Sequence, residues 1–158
     1  MFANMITQYR QGDVLIERVE TMVAGLIKVK KSHRVILAHG EVTGHHHSFD
    51  SGVVDEYRNE SGDQFFNVRG NPLRLSLKVL REWRNQVLVK HPTLGLIEFS
   101  KSDVSVENGV AWIDGDFALL KHQEHAAQGI PAGFYRGGVD GKVRQREYSP
   151  EEIRNVQD

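Results

Sequence analysis

The chain has 158 residues, a length typical of one domain, and it contains no cysteine. The absence of cysteine excludes a disulfide framework, a cysteine-ligated zinc finger, an iron–sulfur centre and a thiol nucleophile. With 20 Lys and Arg against 21 Asp and Glu, the formal charge is −1, so no global basic field holds a nucleic-acid duplex.

We expect neither a membrane-spanning segment nor a signal peptide in this sequence. Its aliphatic runs are well under the ~20 residues that span a bilayer. The first residues lack the charged and then apolar regions of a signal peptide. We therefore expect a cytoplasmic protein that has no membrane partner.

Alternating apolar and polar residues predict strands in the first half of the chain. The predicted strands cover residues 14–16, 26–30, 34–38, 55–58 and 64–69. Residues 59–63 have the composition of a hairpin turn between the last two strands.

The second half continues the strand pattern and ends in a predicted helix. The predicted strands cover residues 73–79, 87–89, 96–99, 104–106, 110–113, 117–120, 134–136 and 143–148. Asn108-Gly109 is a strong hairpin signal between two of them. At the end, Ser149 is suited to an N-cap, Pro150 to the first helical position and Glu152 to a capping box.

Short strands with frequent turns indicate an all-β fold. We predict a single-domain antiparallel β-barrel or sandwich with a short C-terminal helix. The expected core residues are Leu15, Leu26, Val35, Leu37, Trp112, Ile113, Phe117, Leu119 and Tyr135.

Histidines form the first candidate site. The chain has 8 histidines, and five of them fall in two short clusters, at 45–47 and 122–125. Side chains alternate along a strand, so His45 and His47 share a face, with Glu41 on the same face if the strand is unbroken. His122 and His125 share a face if their segment forms a helical turn.

Imidazoles from both clusters suit a divalent transition metal, with zinc, manganese or iron as the candidates. The predicted ligands are His45, His47, His122 and His125. The alternative for each cluster is a solvated surface loop. One shared partner explains both pairs more economically, so we expect the clusters to meet in the folded chain although about 75 residues separate them.

A second candidate site lies near the C-terminus. On a strand, Arg144, Arg146 and Tyr148 share one face. Two arginines with an aromatic ring can hold phosphate groups or stack a base, which makes RNA or a nucleotide a candidate partner. The alternative is an exposed edge strand whose charges discourage aggregation.

Several blocks of the sequence resemble a group of short bacterial and phage proteins of uncharacterised function. The blocks are GEVTGHHH at 40–47, HQEH at 122–125, PAGFY at 131–135 and RQREYSPEE at 144–152, after a QGDVL start at 11–15. The resemblance covers about residues 9–49 and 110–158. It implies that His45, His47, His122 and His125 belong to a shared pattern, and that about 70–108 is an insertion in a single domain of residues 1–158. It implies no activity.

Three functions remain open. In the first, a histidine-bound metal activates water to hydrolyse a phosphodiester, with Glu41 or Glu124 as general base. In the second, a metal-independent ribonuclease uses two histidines as acid and base, with Lys121 stabilising the transition state. In the third, the chain is a non-catalytic binding or adaptor module. A homo-oligomer is compatible with all three.

Overall fold

The computed structural model describes residues 8–12, 14–30, 34–37 and 46–137 of the chain. These residues form strands and turns and contain no helix. The strands are β1 (Gln8–Gln11), β2 (Val14–Val19), β3 (Ile27–Lys28), β4 (Arg34–Ile36), β5 (Ser48–Asp50), β6 (Val54–Arg58), β7 (Gln64–Val68), β8 (Asn71–Glu82), β9 (Gln86–His91), β10 (Gly95–Ser100), β11 (Ser105–Glu107), β12 (Val110–Leu120), β13 (Ala127–Pro131) and β14 (Gly133–Gly137).

The first sheet has the strand order β1-β2-β14-β7-β6-β3, and all neighbours in it are antiparallel. The pair β4–β5 forms a separate two-stranded sheet. Its Val35 and Phe49 side chains pack in the same core as Phe66 of β7 and Tyr135 of β14. Both sheets therefore surround one apolar core.

The second sheet closes into a barrel of five strands in the order β8-β9-β10-β13-β12. The closing pair is β12–β8, which runs in register from Val110↔Lys78 to Phe117↔Asn71. All neighbours are antiparallel except β10 and β13, which are parallel. Strand β11 pairs with the first residues of β12 as a hairpin.

The sequence of β8 shows why the barrel forms. Leucines at 73, 75 and 77 point inward and pack against the barrel core, while Arg74, Ser76 and Lys78 are exposed. This is the period of two that a strand with one buried face requires. The β11–β12 turn has positive φ at both Asn108 (54°) and Gly109 (77°), as the tight hairpin turn demands.

A polar contact joins the two cores. The Tyr9 hydroxyl of the first core donates to the Asp103 carboxylate of the β10–β11 connection at 3.0 Å. Nearby, Arg18 Nη2 donates to the Tyr135 hydroxyl at 3.0 Å, and that hydroxyl donates to the Pro131 carbonyl oxygen at 2.7 Å. Burial raises the pKa of the Asp103 carboxyl, and the hydrogen bond from Tyr9 opposes that rise.

The all-β fold class and the Asn108-Gly109 hairpin are confirmed. The expectation that Trp112 is buried is wrong: its side chain is 54% exposed on the outer barrel face, because the inward position belongs to its neighbour Ile113. Leu26 and Leu119 are only half-buried.

The predicted C-terminal helix from Ser149 lies outside the described residues. Residues 71–107 contain the barrel strands β8, β9 and β10 and the hairpin strand β11, and their status as an insertion stays a prediction. Among the described residues, no helix is long and apolar enough to cross a membrane.

Candidate functional site

A backbone bridge brings the two histidine clusters together. The Ser48 amide donates to the Lys121 carbonyl oxygen at 3.0 Å, and the Lys121 amide donates to the Ser48 carbonyl oxygen at 2.8 Å. In an antiparallel pair the residue before one partner lies opposite the residue after the other, so His47 faces His122. His47 precedes β5, and the histidine loop, residues 121–126, joins β12 to β13.

Three imidazole rings meet at this bridge and form what we call the three-histidine pocket: His47, His122 and His125. The ring centres of His47 and His122 are 4.3 Å apart, those of His122 and His125 are 4.6 Å apart, and those of His47 and His125 are 6.3 Å apart. His47 is 2% exposed, while the other two are half-buried. The pocket therefore has a buried histidine at its base and two accessible histidines above it.

Gln11, the last residue of β1, fixes the base of the pocket. Its amide nitrogen donates to the carbonyl oxygens of Leu120 at 2.7 Å and Ala126 at 2.9 Å, which are the two ends of the histidine loop. Its amide oxygen lies 2.9 Å from His47 Nδ1. An amide oxygen can only accept, so His47 Nδ1 is the donor and carries a proton. In the neutral ring, His47 Nε2 then holds the lone pair.

In His122 the roles of the two ring nitrogens are the reverse of those in His47. Its Nδ1 accepts a hydrogen bond from the Glu124 amide at 3.0 Å. An accepting Nδ1 places the proton of the neutral ring on Nε2. The same local bond occurs in the β9–β10 turn, where His91 Nδ1 accepts from the amides of Thr93 and Leu94, both at 3.1 Å.

Gly12 makes room for the rings. Its φ is +59°, in the left-handed region that favours glycine. A Cβ atom at this position would lie 2.8 Å from His125 Nε2 and 3.4 Å from His47 Cε1. The missing side chain therefore lets the chain pass directly against two of the histidines.

The histidine loop also borders an open depression of about 460 Å³. One wall is apolar and consists of Leu94 and Leu96 from the β9–β10 hairpin, both of which are exposed. The other wall is the loop itself, including His122 and His125. A ligand in this depression would touch the two accessible histidines.

The structure describes only some of the predicted site residues. It brings together His47, His122 and His125; Glu124 is exposed in the same loop, and Lys121 Nζ pairs with Asp50 at 3.3 Å. The remaining predicted site residues, Glu41, His45, Arg144, Arg146 and Tyr148, lie outside the described residues.

Two features of the site differ from the sequence-based expectation. Among the residues that the structure describes, no three His, Cys, Asp or Glu side chains stand in the arrangement that a metal ion requires. Conversely, the sequence did not single out Gln11 and Gly12 as site residues. Their signal is the QGDVL block at 11–15, which enters the sequence-based prediction only as the first block of the resemblance.

A known protein family matches a span of the chain that contains part of this site. The family described as "Domain of unknown function (DUF8820)" matches residues 10–102, which is more than half of the chain. The chain belongs to that family. The span includes Gln11, Gly12 and His47 and ends before His122 and His125; the wider block pattern and the bacterial or phage origin stay predictions. No curated protein and no solved structure matches the chain.

Proposed function

We propose that the three-histidine pocket, together with His45, binds a divalent transition metal, with zinc, manganese or iron as the candidates. The observation that carries the proposal is the 2.9 Å contact between His47 Nδ1 and the Gln11 amide oxygen. Histidines that bind metals almost always donate their second ring N–H to a protein acceptor, which directs the other nitrogen at the ion. His47 is already held in that form.

A shared ion would require the three described rings to shift, because they do not stand in a metal-binding arrangement. Three imidazoles bound to one tetrahedral ion through bonds of about 2.0–2.1 Å hold their ring centres roughly 5 Å apart. The three ring separations here, 4.3, 4.6 and 6.3 Å, lie on both sides of that value. Ligation through His122 Nε2 requires the ring to release the Glu124 amide, because a neutral imidazole bound through Nε2 carries its proton on Nδ1.

The reaction we propose for the loaded site is hydrolysis of a phosphodiester in RNA or a nucleotide. A bound metal lowers the pKa of a water ligand and so supplies the nucleophile. Glu124 or Glu41 would take its proton, and Arg144, Arg146 and Tyr148 would hold the phosphate and base. Small five-stranded barrels bind oligonucleotides in other proteins, which is support by analogy of fold only.

A specific observation favours a second candidate, metal-independent acid–base catalysis of RNA cleavage. In the neutral rings His47 Nε2 holds a lone pair and would act as the base, while His122 would act as the acid only once it is protonated to the imidazolium. Lys121, next to His122, would stabilise the charged transition state.

The test is metal analysis of protein purified without a nickel column. We expect about one equivalent of metal in the wild type and in His91→Ala, and loss of that metal in His122→Ala. His91 is a matched control because its ring makes the same turn bond as His122 outside the pocket. Cleavage of an RNA oligonucleotide is then measured before and after chelation.

The outcomes separate the candidates. Cleavage that stops on chelation and returns with zinc or manganese supports the metal-dependent hydrolase. Cleavage by metal-free protein that His122→Ala abolishes replaces it with the acid–base mechanism. Protein that takes up no metal and cleaves nothing contradicts both and leaves the binding or adaptor module.

A further inference from the structure

We propose that Gln11 is the positioning residue of the three-histidine pocket: it selects the Nδ1–H tautomer of His47 and sets the span of the histidine loop. Only the part of this inference that concerns metal affinity rests on the proposed function. The tautomer it assigns is a property of the chain alone.

The orientation of the Gln11 amide follows from its three partners. Two of them, the carbonyl oxygens of Leu120 and Ala126, can only accept, so they require the nitrogen of the amide. The reversed amide would place its oxygen against both carbonyl oxygens and would leave two donors facing His47. The oxygen is therefore committed to His47 Nδ1.

Burial makes it costly to break the contact between the Gln11 amide oxygen and His47 Nδ1. Gln11 is 4% exposed and His47 is 2% exposed, so water does not readily replace the contact. A buried ring N–H without an acceptor is costly, and a ring free to change tautomer would present its lone pair in either of two directions. Gln11 removes that choice and directs the lone pair of Nε2.

The same side chain sets the position of the other two histidines. Leu120 ends β12 and Ala126 precedes β13, so the amide nitrogen of Gln11 joins the two ends of the histidine loop. One side chain therefore couples the tautomer of His47 to the placement of His122 and His125. A buried glutamine without this role would also form hydrogen bonds, but those bonds would not connect three histidines of one site.

The first experiment reads the tautomer of His47 directly. Long-range ¹H–¹⁵N spectra of the metal-free full chain are recorded at about pH 8, above the usual histidine pKa near 6.5. We expect His47 Nδ1 to give the protonated signal in the wild type. In Gln11→Leu we expect a mixture of tautomers. A wild-type His47 protonated on Nε2 would overturn the inference, and so would an unchanged Nδ1–H tautomer in Gln11→Leu.

The second experiment measures zinc affinity. Loss of a residue that orients a ligand typically costs 10–100-fold in metal affinity, which is the loss we expect for Gln11→Leu. Gln11→Glu keeps an acceptor for His47 Nδ1 but turns its second oxygen toward the carbonyl oxygens of Leu120 and Ala126, so we expect it to retain the Nδ1–H tautomer of His47 and still to lose zinc affinity. The control is Gln64→Leu, which removes a glutamine of similar burial from β7, bonded to Ile36 and Glu56 instead of to the pocket.

The results distinguish positioning from stability. Equal losses of zinc affinity in Gln11→Leu and Gln64→Leu would show a general effect of a weakened fold and overturn the inference. Loss of the His47 Nδ1–H tautomer in a folded Gln11→Glu would also overturn it, because that variant keeps the acceptor for Nδ1. If the wild type binds no zinc, the proposed metal function fails by itself, and the His47 tautomer still decides the role of Gln11.

Discussion

Leu119 and Leu120 are neighbours in β12, yet their side chains pack in different hydrophobic cores. Leu120 is fully buried in the first core with Ile16 and Phe49, whereas Leu119 packs, half-buried, against the barrel core. Successive strand residues point to opposite faces, so the end of β12 is covered on both sides. The histidine loop begins at the next residue and is therefore attached to a strand held from two directions.

This arrangement predicts unequal costs for two adjacent truncations. Leu120→Ala should lower the free energy of unfolding by about 2–5 kcal/mol, because it leaves a cavity in a closed core. Leu119→Ala should cost less than about 2 kcal/mol, because its side chain is only half-buried. Urea denaturation measures both. A larger loss for Leu119→Ala would contradict the assignment of the two faces.

Gly12 predicts a defect confined to the site. Gly12→Ala and Gly25→Ala both put an alanine at positive φ, which costs roughly 1–2 kcal/mol. Only at Gly12 does the new Cβ meet His125, while at Gly25 it meets nothing within 4 Å. We expect similar loss of stability in both variants and weaker zinc binding in Gly12→Ala alone. Calorimetric titration checks this, and equal zinc affinities would refute the close approach.

The burial of the Asp103 carboxyl predicts a pH-dependent stability difference. Burial raises the pKa of the Asp103 carboxyl in the folded chain, so this group stabilises the fold below its unfolded pKa of about 3.9. That contribution is lost as the pH rises through the folded pKa. The stability of the wild type relative to Asp103→Asn should therefore decrease over that range and remain constant on either side.

Urea denaturation between about pH 3 and pH 7 measures this difference, given the usual Asp pKa of about 3.9. Asp114→Asn is the control, because Asp114 is an exposed carboxylate that pairs with Arg74 on the barrel surface. A difference between wild type and Asp103→Asn that does not change with pH would contradict the sign.

Zinc should stabilise the folded chain. A ligand that binds only the folded state at 100 times its dissociation constant adds about 2.7 kcal/mol. We expect a higher melting temperature with zinc for the wild type and for His91→Ala, and no rise for a His122→Ala, His125→Ala double variant. Thermal unfolding followed by circular dichroism measures the shift. A rise that persists in the double variant would place the zinc elsewhere.

Local patterns in the sequence predicted most of the described strands and the hairpin at Asn108-Gly109, because both depend on neighbouring residues, but they did not predict β1, β5 or β13. They also predicted that the histidine clusters meet, since one shared partner was the most economical explanation of two histidine pairs. Local patterns did not predict that β12 closes the barrel on β8, because many registers share the same alternation. Nor did they predict the role of Gln11, whose partners Leu120 and Ala126 lie more than 100 residues away.

The Gln11 amide also determines which connections of this chain can change in length. Five residues, 121–125, separate the two carbonyl groups that it holds. An insertion or deletion among them would break one of these bonds or move a histidine away from its neighbours. Within the part of the chain that the structure describes, the turn at 59–63 shows no comparable distant tie, and its Asn59 and Asp63 side chains bond within the turn. A tag or a longer loop should therefore be accepted at 59–63 and rejected at 121–125.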